Sequence, residues 1–205
     1  MLACLEKGKG MVRVNVYEDV ELEESRMIEA HNSSVSCLTL NFEGTLLATA
    51  SDKGTIIRLF NPSTGEALQE LRRGSDKAEI YSISIDVETK WLGCTSDKGT
   101  VHIFSLARLE LKHLKKDGEE EDKAEETKKK PKNNKHVFRF MKKFSKYFDS
   151  EWSFAKFRVT DSRTICAFTK DENLVVISAD GTYYLARLDT KNGGECKKIE
   201  EKKFI

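Results

Sequence analysis

The sequence predicts an all-β chain folded as a WD-repeat-like β-propeller, about three and a half blades long, and three observations carry that expectation. First, ATASDKGTIIRLF (48–60) aligns with GCTSDKGTVHIFS (93–105) at a spacing of 45 residues, with Ser-Asp-Lys-Gly-Thr identical in both. VISADGTYYLARL (176–188) is a third, more diverged copy, and GKGMVRVNVYE near the start resembles a fourth. Second, each copy reads as two short alternating strands around a glycine-containing hairpin turn. Third, a further strand precedes each of the later copies: VSCLTLN (35–41), YSISID (81–86) and TICAFTK (164–170). Four strands in about 40 to 45 residues is the spacing of one propeller blade.

Taken in order, MLACLE reads as the second strand of a partial blade over residues 1–31, with MVRVNVYE its third strand and SRMIEAH its fourth. A full blade follows over 33–74. The next runs over 78–106 and resumes at WSFAKFRV (152–159), and a last one spans 162–204. A closed propeller needs at least four blades, so the chain is not expected to close an ordinary ring alone. It reads as the C-terminal half of something larger.

Between the two pieces of the split blade, 107–149 breaks the pattern. KKDGEEEDKAEETKKKPKNNK is charged in blocks and low in complexity, the composition of a disordered excursion. HVFRFMKKFSKYF follows, with Val137, Phe140, Met141, Phe144 and Phe148 on one helical stripe and Lys142, Lys143 and Lys146 off it. A basic amphipathic segment over 137–148 suits a membrane surface.

Composition narrows the function classes. A formal net charge of +1 over 205 residues gives no global pull toward nucleic acid. The KKKPK run resembles a nuclear signal or nucleic-acid patch, but the adjacent acidic residues, EEED (119–122) among them, cancel its field, so no nucleic-acid partner is expected. No apolar run approaches the ~18 residues of a spanning helix. The start is too short in apolar residues for a signal peptide, Leu2 rules out myristoylation, and EEKKFI has no prenylation cysteine, so a cytoplasmic chain is expected. Cys4, Cys37, Cys94, Cys166 and Cys196 show no C-x-x-C spacing and three of them sit in apolar runs, as buried reduced thiols do. No metal site, cofactor, nucleophile elbow or phosphate loop is legible, which argues against an enzyme.

The informative polar feature is Arg72-Arg73-Gly74, between two predicted blades. Adjacent side chains of an extended backbone point to opposite sides. Two neighbouring guanidinium groups therefore cannot easily grip one anion together, and they suit two separate pockets.

Leu71-Arg72-Arg73-Gly74, the blade repeats and the long insertion before a fourth strand resemble the PROPPIN family, the WIPI-type autophagy-related propellers. AHNSSVSCLTLN, LLATASDKGTIIRLFN, ELRRGSDKAEIYSISI, WLGCTSDKGTVHIF and FMKKFSKYFDSEWSFAKFRV extend the resemblance over nearly the whole chain outside the charged tract. It implies a seven-bladed fold of which the first three blades and one strand have no counterpart here. It also implies binding of phosphatidylinositol 3-phosphate and 3,5-bisphosphate, and recruitment of autophagy proteins to preautophagosomal, endosomal or vacuolar membranes.

By motif position, the resemblance assigns one lipid site to His31, Thr49, Ser51, Gly54, Thr55, Arg58 and Arg72, and a second to Arg73, Ser96, Thr100 and His102. Guanidinium groups suit bidentate phosphate contact, and hydroxyls and imidazoles suit the remaining oxygens. Phe140, Phe144, Lys142 and Lys143 are the expected membrane contacts of the insertion. Each of these residues also has a plainer reading. Arginine pairs occur in solvated turns, the hydroxyls of Ser-Asp-Lys-Gly-Thr turns bond the local backbone, histidines bridge neighbouring blades, and Arg58 suits bracing a loop. Trp91 and Trp152 read as core or interface packing. The competing function is a generic WD-repeat scaffold that binds proteins through its rims and no lipid.

Overall fold

The computed structural model describes residues 1–109, 150–159 and 163–204, and in them the strands form four sheets. The first sheet holds β1 (Leu2–Leu5), β2 (Met11–Glu18) and β3 (Glu21–Glu29) in that order. The second is built from β4 (Val35–Leu40), β5 (Leu47–Ser51), β6 (Ile56–Phe60) and β7 (Ala67–Arg72). The third has β8 (Ile80–Ile85), β9 (Trp91–Ser96) and β10 (Thr100–Ser105), then β12 (Ala155–Arg158) from beyond the insertion. The fourth is β13 (Thr164–Phe168), β14 (Leu174–Ser178), β15 (Thr182–Arg187) and β17 (Lys197–Lys203). Two-residue strands complete the ladders: β11 (Glu151–Trp152) runs parallel to β7, and β16 (Gly194–Glu195) runs parallel to β12.

Three apolar seams lie between successive sheets. Val12, Val14, Ile28, Leu47 and Phe60 fill the first, and Ala48, Ile57, Leu59, Leu71, Ile83 and Phe104 the second. Trp91, Ile103, Phe157, Leu174, Val176 and Tyr184 fill the third. Middle sheets covered on both faces explain a departure from alternation: β5 and β9 are buried at every position. On β14, by contrast, Leu174, Val176 and Ser178 are buried and the residues between them are not. Leu71 is fully buried in the second seam, and Leu71→Ala is expected to cost about 2–5 kcal/mol.

The repeat has a repeated turn. The amides of Gly54, Gly99 and Gly181 donate to the carbonyls of Ser51, Ser96 and Ser178, and all three glycines have positive φ, at 62°, 62° and 80°. At Gly54 a Cβ would lie 2.0 Å from the Ala78 carbonyl oxygen, so both conformation and space demand glycine. The opposite ends of the strands use carboxamide and carboxylate caps. Asn41 Oδ1 accepts from the amides of Thr45 and Leu46, and Asp86 Oδ1 accepts from the amide of Trp91, 45 residues after the cap at Leu46.

One element differs from the sequence reading. WSFAKFRV does not form one continuous strand: Trp152 belongs to the edge of the second sheet, and Ala155–Arg158 to the third. The chain crosses between them at Ser153 and Phe154. The Phe154 amide donates to Ile103 O at 2.8 Å and its ring packs 5.3 Å from Trp91, an anchor that competes with continued pairing on β7. Arg108 and Glu151 form an ion pair across the two ends of the insertion.

Candidate functional site

Strand register places the first group of polar residues. Thr49 lies opposite Arg58, and Arg58 opposite Glu70, so the three form a row across the second sheet on its face toward the first sheet. Arg72, two residues beyond Glu70 and opposite Ile56, shares that face. His31 reaches the row from the first sheet, its Nε2 lying 3.0 Å from Thr49 Oγ1. Arg58 spans the same seam: Nη1 donates to Ala30 O at 2.8 Å, while Nε donates to Glu70 Oε1 at 2.8 Å. His31, Thr49 and Arg58 are therefore brought together, and Arg58 acts as a brace between sheets. Burial, then the Arg58 charge, push the His31 pKa down to about 4, so the imidazole is neutral at pH 7.

Ser51, Gly54 and Thr55 sit at the hairpin beside this row. Each serves the backbone through a main-chain atom: Ser51 O accepts from Gly54, and Thr55 O accepts from the amide of Arg73 at 3.0 Å. The Ser51 side chain is buried and that of Thr55 half-buried.

Arg73 leaves on the other side. Its Nε donates to Gly54 O at 2.7 Å and an Nη donates to Asp76 O, both neutral carbonyls. The guanidinium charge reaches the third sheet, where it helps to lower the pKa values of Asp97 and His102. There His102 lies opposite Cys94 and Lys156, Thr100 opposite Arg158, and Ser96 opposite Ile80. Cys94 and Ile80 belong to the seam with the second sheet, so Ser96, Thr100 and His102 share the face that meets Arg73. His102 Nδ1 is 3.2 Å from Ser153 Oγ. Burial first, then the charges of Lys156 and Arg73, push its pKa down to about 4.

Both imidazoles are thus neutral hydrogen-bonding groups, and positive charge at the clusters comes from Arg and Lys. The sequence reading passed over Lys156 and Arg158, which stand on the row of His102 and Thr100. The insertion breaks the 45-residue period just before them, although their own i, i+2 spacing in AKFRV marks one face of a strand. Glu70, the half-buried carboxylate partner of Arg58, has no sequence signal, because a lone acid on an outer strand carries no motif. Phe140, Phe144, Lys142 and Lys143 fall outside the described residues. Among the described residues no cluster of three or more potential metal ligands occurs, and no helix is long and apolar enough to cross a membrane.

The PROPPIN family model matches residues 7–205. Autophagy-related protein 18e of Arabidopsis thaliana is 35% identical over the whole of this chain and 50% of its own length. Autophagy-related protein 18 of Debaryomyces hansenii is 44% identical over 50% of this chain and 19% of its own. Among solved structures, Kluyveromyces lactis Hsv2 superposes with a TM-score of 0.69 at 21% identity, covering 97% of this chain and 57% of Hsv2. The complex of KlAtg21 with the coiled-coil of AgAtg16 gives 0.61 at 19% identity, over 98% of this chain and 57% of that one. The chain spans about half the length of the Arabidopsis relative and of these structures. Its strand architecture is that of the propellers it superposes on, and over nearly its full length the chain belongs to the PROPPIN family.

Proposed function

We propose that the chain binds 3-phosphorylated inositides, phosphatidylinositol 3-phosphate and 3,5-bisphosphate, through two sites divided between Arg72 and Arg73. The observation that carries this reading is the divergence of the two guanidinium groups. Arg72 shares a face with Thr49 and Ser51 of the second sheet, while Arg73 turns toward Ser96, Thr100 and His102 of the third. Each side combines a cation with hydroxyls and a neutral imidazole, the donor set a phosphorylated ring takes. Lys156 and Arg158 add charge on the second side.

Each site offers few contacts and binds weakly alone. Two on one body raise avidity by about 10²-fold or more through effective concentration. The stripe at 137–148, with Phe140, Phe144, Lys142 and Lys143, would add a membrane contact of its own. The chain would act as a non-enzymatic peripheral protein of autophagic or endosomal membranes that recruits autophagy proteins, as its relatives' names and the Atg21–Atg16 complex suggest.

The test is flotation with liposomes containing phosphatidylinositol 3-phosphate. Arg72→Thr with Arg73→Thr should abolish recruitment. Both side chains are buried and Arg73 donates to Gly54 O, so the melting temperature should also fall, and flotation is read at a temperature where the variant remains folded. Full binding by the double variant would leave a protein-only scaffold as the better reading. Phe140→Ser with Phe144→Ser should weaken binding with the melt unchanged; a lowered melt with binding intact would assign the stripe to the core.

A further inference from the structure

At the strand ends remote from the arginine pair lies a cavity of about 400 Å³ between the second and third sheets. Leu46, Leu68, Leu106 and Leu109 form its apolar lining, and Thr45, Asn61, Glu88 and Thr89 give it a polar rim. The turns that supply the rim are tied across the seam, since Asn41 Nδ2 donates to both Thr45 Oγ1 and Thr89 Oγ1 at 3.0 Å. The same two turns carry exposed apolar side chains at equivalent positions, Phe42 at 85% and Val87 at 65% exposure. An apolar slot of this size, held open by bonded walls and flanked by two exposed apolar tips, is a place for an apolar side chain to enter.

Charge selects what carries that side chain. At this end the turns 41–46, 61–67, 86–90 and 169–173 each have a formal net charge of −1, 189–193 is neutral, and the one cation of 106–109, Arg108, is paired with Glu151. The Ser-Asp-Lys-Gly-Thr turns at the other end, 51–55 and 96–100, are each neutral. Lys90 does not reverse this, because it is shared between Glu88 and Glu172. An anionic membrane is repelled by such a rim, whereas a basic polypeptide is attracted. We propose that this groove docks a short basic segment of a partner protein, one leucine-sized side chain entering between Leu46 and Leu106 and flanking Lys or Arg residues pairing with Glu43 and Glu88. The inference is independent of the lipid reading, since it uses the opposite strand ends.

The probe is a synthetic peptide, Lys-Lys-Leu-Ser-Lys-Lys, with a second peptide in which serine replaces the leucine. Binding to the full chain is read by methyl and amide NMR shifts and by fluorescence anisotropy. The leucine peptide should shift Leu46, Leu68 and Leu106 and bind about tenfold more tightly than its serine counterpart. Glu43→Lys with Glu88→Lys, both exposed positions, should weaken it by a further tenfold or so without changing the melt. Equal affinity of the two peptides, shifts confined to the arginine end, or no saturation below about 1 mM would overturn the proposal. Loss of phosphatidylserine-vesicle binding on Phe42→Ser, with peptide binding unchanged, would also overturn it, assigning this end to a membrane.

Discussion

The two polar clusters beside the arginine pair use similar side chains and differ in charge. On the side of the first sheet, Arg58 is held by the Glu70 carboxylate at 2.8 Å and by a carbonyl of the neighbouring sheet, so its charge serves the seam. On the side of the third sheet, Arg73 donates to the Gly54 and Asp76 carbonyls, and Lys156 and Arg158 stand on the adjoining row. A repeated motif therefore yields two unequal clusters. The Ser51/Ser96 and Thr55/Thr100 hydroxyls come with the repeat, whereas the imidazoles do not, since His102 aligns with Ile57 and His31 precedes the motif. The balance of charge comes from outer strands that the repeat does not govern.

Charge reversal on the third-sheet row is the strongest way to break this asymmetry. Lys156→Glu with Arg158→Glu should lower affinity for inositide vesicles by about 100-fold and flatten its salt dependence. Both residues are exposed, so the melt should be unchanged. If the vesicle affinity is unaltered, the second site does not use this row.

Acidification tests what the two clusters share. Both histidines have folded pKa values of about 4, below the unfolded value near 6.5. The unfolded chain therefore takes up protons first as pH falls. The contribution to stability is complete above about pH 6.5 and is lost progressively between 6.5 and 4, by up to about 3 kcal/mol per histidine. Urea titrations at pH 7 and pH 5 should show the loss, and His31→Asn with His102→Asn should remove the slope. The asymmetry reappears in the NMR titrations, where Lys156→Glu should raise the pKa of His102 and leave that of His31 in place.

The smallest effect comes from making the first cluster resemble the second. Glu70→Gln removes the carboxylate from the Arg58 row, and it should raise anion affinity there about two- to five-fold while costing about 1 kcal/mol in stability. Isothermal titration with a soluble inositol phosphate reads the first change and thermal melting the second. Unchanged anion affinity would mean that Arg58 is a brace alone.

Local periodicity made most of the architecture legible in advance. The Ser-Asp-Lys-Gly-Thr repeat determined its own hairpin, because four consecutive residues and one positive-φ glycine suffice to build it, and Gly54 and Gly99 adopt the same φ of 62°. Alternation along β7 likewise decided that Arg72 and Arg73 leave on opposite sides, a consequence of backbone geometry that needs no distant contact. Tertiary structure decided the rest. It divided WSFAKFRV between two sheets, since the anchoring of Phe154 on Ile103 and Trp91 depends on partners 51 and 63 residues earlier in the chain. It also set the row that carries Lys156 and Arg158, the Glu70 partner of Arg58 and the neutrality of both histidines. Charge state and pairing depend on which groups lie within a few ångströms in space, and an insertion can bring such groups together without leaving a spacing in the sequence.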